Sequence, residues 1–232
     1  IKFSRDAELD FDDDISKSYL EKISQSVKDR LKGDPLRFVY DKEIDPNTLK
    51  FLLEKMNINS EIDSVIPGGK YHNKKDYMNF PILNNDLAYD KIEHLVIKDF
   101  YKHKTVFESI DERDFLVHTP FHKFNHILTF LSEASIDPDV KRICITIYRL
   151  SKLSSVANTL INAAKNGKEV IVQIELQARF DETNNIDYAK LMQDQGVKLI
   201  FGIPTLKVHA KVCVVEKLLN NKILKYGFIS TG

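Results

Sequence analysis

Arg149, Arg179 and His209 follow one another at intervals of 30, and each closes or interrupts an apolar run. An imidazole with a free lone pair is a nucleophile towards phosphorus, and a guanidinium grips phosphate oxygens two at a time. Arg149 ends ICITIYR (143–149), and Arg179 ends the run VIVQIELQAR (170–179). Ligands of open α/β sheets bind beyond the carboxyl ends of the strands, where both arginines would fall. A surface arginine paired with Asp181 or Glu182 fits the position equally well.

His209 lies in LKVHAKV (206–212). Alternation along a strand would put Lys207, His209 and Lys211 on one face, an imidazole between two ammonium groups. Lysines draw phosphate, so phosphoryl transfer to a ring nitrogen is reasonable chemistry there. A half-exposed strand with a solvated polar face explains the same letters, and three residues alone carry little weight.

PGGKYHNKK (67–75) brings Lys70, His72, Lys74 and Lys75 together behind two glycines. Backbone amides and lysines of that kind can cradle an anion, although the spacing is not that of a Walker A loop. An exposed turn is the simpler reading. His118, His122 and His126 stand four apart without a carboxylate to complete a ligand set, which predicts no metal site.

Elements must position these groups. The chain of 232 residues is 43% hydrophobic and 29% charged, enough for one large domain or two small ones. Lysine plus arginine equals aspartate plus glutamate at 34 each, so global charge predicts no polyanion partner, nucleic acid included, and any anion site must be local. Cys144 and Cys213 sit in strand-like runs and read as buried thiols. No apolar run reaches membrane-spanning length, and no signal peptide opens the chain, which predicts a soluble cytoplasmic protein. A start at Ile1 and a small-residue turn at Gly232 read as part of something longer.

The first hundred residues predict a strand at 1–3, then an amphipathic helix through Ile15, Tyr19, Ile23, Val27 and Leu31, capped by Asp13 or Asp14. A strand at 36–40, a helix opened by Asp45-Pro46, and a short strand at 94–97 follow. A boundary is expected near residue 100. Beyond it, helices at 106–112, 121–134, 153–166 and 184–195 alternate with strands at 115–117, 141–148, 169–175 and 197–201. Strand runs 206–215 and 223–230 flank the hairpin turn Asn220-Asn221. Apolar strands joined by such helices predict a parallel or mixed sheet covered on both sides.

ELQARFDE (175–182) followed by VHAK (208–211), with DAEL (6–9), IPGGKYHN (66–73) and the stretches 115–120, 137–149, 185–190 and 201–211, closely resembles polyphosphate kinase of the phospholipase-D-like type. The resemblance covers essentially the whole chain. It implies an α/β fold: a smaller helical middle domain with a few strands over 1–100, then over 101–232 the first, truncated, phospholipase-D-like α/β/α sandwich with a mixed sheet. It further implies reversible transfer of the terminal phosphate of ATP, giving ADP, to inorganic polyphosphate through a phosphohistidine at His209. Lys211 would neutralise the transferring group, and Arg149 and Arg179 belong to the Mg2+–phosphate site, with Lys207 beside them. Arginine has no lone pair for a metal, so both read as phosphate clamps with magnesium bridging the phosphate oxygens. Lys70, His72, Lys74 and Lys75 would line a polyphosphate channel. The resemblance implies a homo-oligomer at full length, cytoplasmic or membrane-associated, and little or no turnover from these 232 residues alone. Where a full phospholipase-D motif carries aspartate, five residues beyond its lysine, this chain has Glu216. A non-catalytic polyphosphate-binding or dimerisation module and a phosphodiesterase are the alternatives.

Overall fold

The structure, a computed structural model, describes residues 1–5, 18–29, 33, 35–59, 64–176, 182–202 and 208–231. Two compact units form, Ile1–Lys91 and Ile92–Gly232.

In the first unit β1 (Lys2–Arg5) pairs antiparallel with β2 (Pro35–Asp41), and β2 pairs parallel with β3 (Ser64–Gly68). β3 takes in Pro67 and Gly68, the first residues of the stretch 67–75 whose simpler reading was an exposed turn. Helix α1 (Tyr19–Asp29) buries Leu20 and Ile23, whereas Val27 is half-buried. Ile15, Leu31 and the predicted caps Asp13 and Asp14 lie outside the described residues. Helix α2 (Pro46–Lys55) starts where its sequence says it must. Asp45 accepts from the Thr48 amide at 2.8 Å, and Pro46 fills a position whose amide needs no partner. Asn57, at φ 54°, turns the chain out of the helix.

In the second unit α3 (Val106–Glu112) opens on a capping box made by Thr105 and Glu108. Helix α4 (Asn125–Ile136) begins later than expected, because Phe121 and Lys123 hydrogen-bond with Leu95 instead of entering a helix. That Leu95–His122 bridge is isolated, so 94–97 is not a strand. Nor does 115–117 form one. Phe124 is half exposed, and His126 takes the buried place on α4.

The remaining elements follow the predicted order: β4 (Val140–Ile147), α5 (Ser155–Lys165), β5 (Glu169–Ile174), α6 (Glu182–Asp194), β6 (Lys198–Phe201), β7 (Lys211–Leu219) and β8 (Lys222–Ser230). The sheet runs β6-β5-β4-β7-β8, parallel from β4 to β6 and antiparallel from β4 to β8, so the fold is mixed α/β. Asn220 and Asn221, at φ 49° and 60°, make the two-residue hairpin turn that joins β7 and β8.

One sheet face buries Ile143, Ile145 and Ile147 with Val170, Val172 and Ile174; α4, α5 and α6 supply Leu131, Leu160 and Met192 to the same core. The other face carries charge. Lys225 on β8, Glu216 on β7, Arg142 on β4, Glu169 on β5 and Lys198 on β6 form a chain of ion pairs across all five strands. Glu216 is thereby absorbed into the sheet.

Candidate functional site

β4 and β7 are antiparallel neighbours, with Ile145 opposite Cys213. The residues after β4 and the residues before β7 therefore meet at one sheet edge. Arg149 follows β4, and His209 precedes β7.

The strand expected over 206–215 begins only at Lys211, and 208–210 carry no regular structure. The predicted strand face therefore does not extend to His209, and Lys207 lies outside the described residues. Side chains hold this segment in place of a ladder. Thr146 donates to the Ala210 carbonyl and accepts from the Val212 amide at 2.9 Å. The Val208 amide donates to Glu175 Oε2 at 3.4 Å. Gripped on both sides, His209 remains exposed.

Lys211 Nζ lies 2.9 and 3.0 Å from the two ring nitrogens of His209 and donates to the His209 carbonyl at 2.7 Å. An ammonium has only donors, so it can hydrogen-bond only whichever of the two ring nitrogens carries a lone pair. Tyr148 is the platform below. Its ring meets that of His209 edge-on at 4.8 Å, Lys211 Nζ sits 5.3 Å from its centroid, and the Arg149 guanidinium sits 5.4 Å from it. Both cations lie within cation–π range of one tyrosine.

The structure thus brings His209, Lys211 and Arg149 together. Arg179 and Lys207 lie outside the described residues. Lys70, His72, Lys74 and Lys75 belong to the other unit. There Lys70, Tyr71, His72 and Tyr77 line a cavity of about 300 Å³, and the buried His72 Nε2 has no hydrogen-bond partner among the described residues. The His72 ring lies so close to Gly68 that a Cβ there would stand 3.0 Å from it.

Thr146, Tyr148, Glu175 and Asn185 escaped the reading by spacing. A usable signal was present. Thr146, Tyr148 and Glu175 are polar within or beside an apolar run, and buried polar groups must be paired; Asn185, in ETNNIDY (182–188), carried no such signal. Asn185 is fully buried. Its Nδ2 donates to the carbonyls of Tyr148 and Glu175 at 2.9 and 2.8 Å, and its Oδ1 accepts from the Leu150 amide at 3.0 Å.

The histidines four apart do structural work. His126 Nε2 accepts from the Ile97 amide at 3.0 Å, which leaves Nδ1 to donate to the Lys123 carbonyl at 2.6 Å. His122 Nδ1 accepts from the His118 amide. Among the described residues no group of three or more histidine, cysteine, aspartate or glutamate side chains could hold a metal ion. No helix among them is long and apolar enough to cross a membrane.

Residues 105–232 match the polyphosphate kinase C-terminal domain 1, and residues 1–80 match the polyphosphate kinase middle domain. The chain is 41% identical over 233 residues to a polyphosphate kinase of Vibrio cholerae, covering 100% of the chain and 33% of that relative. It is 42% identical over 238 residues to that of Escherichia coli K12, covering 100% of the chain and 34% of the relative. The crystal structure of polyphosphate kinase from Porphyromonas gingivalis superposes with a TM-score of 0.62 at 32% identity, over 79% of this chain and 28% of that one. The chain therefore spans about a third of the length of the curated relatives it matches. With both units matched and these identities sustained along its whole length, the chain belongs to the polyphosphate kinase family.

Proposed function

We propose that this chain is the part of a polyphosphate kinase that accepts the terminal phosphate of ATP on His209 and passes it, reversibly, to inorganic polyphosphate. The observation that carries the reading is the contact of Lys211 with the exposed imidazole, on the tyrosine that also meets Arg149. A lone pair on a ring nitrogen attacks the γ-phosphorus, a P–N bond forms, the P–O bond to the β-phosphate breaks, and ADP leaves with the electron pair. A terminal oxygen of polyphosphate then attacks the same phosphorus and breaks the P–N bond. The chain is one phosphate longer and His209 is restored.

Lys211 has two tasks in sequence. At rest its ammonium covers the ring nitrogens, so attack requires it to leave the ring for the phosphate oxygens, where it balances charge in the transition state. Arg149 grips the same oxygens, with Arg179 and Lys207 assigned beside it on family resemblance. Magnesium enters as part of the MgATP substrate. The arginines cannot ligate it, and magnesium commonly keeps its waters and rides on substrate phosphates.

Residues 1–100 are assigned as the middle domain, with Lys70, His72, Lys74 and Lys75 on the polyphosphate path, and 101–232 as the first phospholipase-D-like catalytic domain. The full-length enzyme is assigned as a homo-oligomer in the cytoplasm or at the membrane surface. Turnover by the 232-residue chain alone is expected to be negligible.

The test is labelling with [γ-32P]ATP and magnesium in an enzyme of the relatives' full length that carries this stretch. Base-stable, acid-labile label that disappears in His209→Ala supports the reading. Lys211→Met should slow labelling by about 10²–10³-fold, as the loss of one charge-stabilising donor does elsewhere. Equal labelling in His209→Ala would move the nucleophile elsewhere. A binding module without catalysis would take up no acid-labile phosphate, and a phosphodiesterase would hydrolyse a diester instead.

A further inference from the structure

Asn185 takes no part in the chemistry above, yet its carboxamide is 0% exposed and has three of its four hydrogen-bonding capacities engaged. The three partners are not scattered. Two are the Tyr148 carbonyl and the Leu150 amide, the peptide groups on either side of Arg149. The third is the Glu175 carbonyl, at the end of the neighbouring parallel strand β5. Glu175 is itself buried, and its Oε2 receives the Val208 amide, one residue before His209. Its own amide returns to the Ile147 carbonyl at 3.0 Å. A single side chain on α6 therefore closes a circuit that runs from the backbone around Arg149 to the backbone beside His209.

We propose that Asn185 is a positioning residue for phosphoryl transfer, fixing Arg149 and, through Glu175, the His209 segment in one mutual geometry. This rests on the reading of His209 as phosphate acceptor and Arg149 as clamp. The residue type follows from the task. Only a carboxamide offers two donors and an acceptor in one plane, and neither aspartate nor leucine of similar size can serve both carbonyls and the amide. Phosphoryl transfer depends almost wholly on position and charge, so a small displacement of the clamp from the nucleophile slows it steeply.

The experiment uses a full-length enzyme carrying this stretch, with Asn185→Asp, Asn185→Ser, Arg149→Ala, His209→Ala and the double variant Asn185→Asp/Arg149→Ala. Rates of phosphohistidine formation are measured under single-turnover conditions across ATP concentrations, beside thermal melts. The expected result is a folded Asn185→Asp enzyme with its labelling rate at saturating ATP reduced about 10²-fold. Asn185→Ser, which keeps one donor, should be intermediate. The double variant should be no slower than Arg149→Ala, because what Asn185 fixes is the placement of Arg149 relative to His209, and with the guanidinium gone that placement no longer bears on the rate.

A lowered melting temperature with an unchanged rate per folded molecule overturns the proposal and makes Asn185 a packing residue. So does a double variant whose losses multiply, and so does failure of both Asn185 variants to fold. If His209→Ala still labels, the phosphohistidine reading falls and takes this inference with it. If His209→Ala loses its label while Asn185→Asp keeps the parental rate, this inference alone falls.

Discussion

In residues 92–232 every second side chain of β4 from Ile143 and of β5 from Val170 is 8% exposed or less, and α4, α5 and α6 close over them with Leu131, Leu160 and Met192 at 0%. In residues 1–91 the buried apolar side chains among the described residues are Leu20, Ile23, Phe38 and Ile58. Helix α2 buries none of its own residues, and Met78, Ile82 and Leu87 are 81%, 70% and 78% exposed. Apolar content alone does not account for the contrast. The later unit has parallel strands joined by helices long enough to fold back on them, whereas the earlier unit has a three-stranded sheet that, among the described residues, buries few apolar side chains. The proposed catalytic edge at His209 stands on the first kind of support.

The sharpest way to break that contrast is to damage the larger sheet. Gly227 on β8 lies against β7 so closely that a Cβ would stand 2.1 Å from the Cys213 carbonyl oxygen and 3.4 Å from Val214 Cα. Backbone cannot yield as a flexible side chain does, so Gly227→Ala should cost about 3 kcal/mol or more, the upper range for overpacking. Leu131→Ala, at 0% exposure, should cost about 3–5 kcal/mol through the cavity it leaves. Urea unfolding followed by circular dichroism measures both. A loss under 1 kcal/mol for either, on the order of an ordinary surface change, would show that the core of 92–232 is looser than its burial indicates.

Next in size is a pH effect confined to the same unit. Burial works to raise the Asp137 carboxyl, but the hydrogen bond from Lys217 at 2.7 Å, the Asp139 amide and the charge of Lys168 outweigh it, and the group titrates below its ordinary value. A carboxyl lowered in the folded state adds stability above its unfolded value near 3.9, and that stability is lost as pH falls through the folded value. Glu133, raised by burial, has the opposite sign and gains relative stability as pH falls. Lys217→Met should therefore lower stability at pH 7, by an amount between the roughly 1 kcal/mol of an exposed pair and the roughly 3–5 kcal/mol of a buried one. It should also flatten the acid limb below about pH 4. Melts from pH 7 to pH 2 test this, and an unchanged acid limb would remove Asp137 from the account.

The charge ladder on the opposite sheet face should matter less. Arg142 is its centre, bonded to Glu169 at 2.6 Å and to Glu216 at 3.1 Å. Arg142→Met should lower the melting temperature in dilute buffer, and the gap from the parent should shrink in 1 M salt, where screening acts over about 3 Å. A gap independent of salt would mean that the arginine stem, not its charge, carries the effect.

Much of the later unit was legible in the sequence for a plain reason. ICITIYR, KEVIVQI and the glycines at 167 and 196, at φ 79° and 84°, mark strands and helix ends by local chemistry. Asn220-Asn221 marks its own turn. The segment carrying His209 was misread because LKVHAKV alternates as a strand does, while its actual partners, Thr146 and Glu175, stand 64 and 33 residues away. His126 was missed for a similar reason. An imidazole reads as polar, but the Ile97 amide and the Lys123 carbonyl satisfy it completely, so it packs in the core face of α4 while Phe124 stays half exposed. Local pattern names elements well. It cannot name the side chains that substitute for a ladder across the fold.

The smallest expected effect is a rate that should not change. Both cysteines lie in the larger sheet, Cys144 on β4 and Cys213 on β7, and residues 1–91 contain none. Burial pushes the Cys213 thiol up to about 12, so little Cys213 thiolate is present at pH 8 and it should not react with iodoacetamide while the sheet is closed; Cys144 is only half-buried, so the rate is read at Cys213 in a Cys144→Ser background. Alkylation then reports opening of the 92–232 unit alone. Leu131→Ala should speed it in proportion to the stability lost, since labelling tracks the open population when closing is fast. Phe38→Ala, which empties the centre of the smaller sheet at a cost of about 3–5 kcal/mol to that unit, should leave the alkylation rate at the parental value. If it accelerates alkylation as Leu131→Ala does, the two units unfold as one, and the distinction between a thin unit and a self-supporting one is a matter of burial, not of stability.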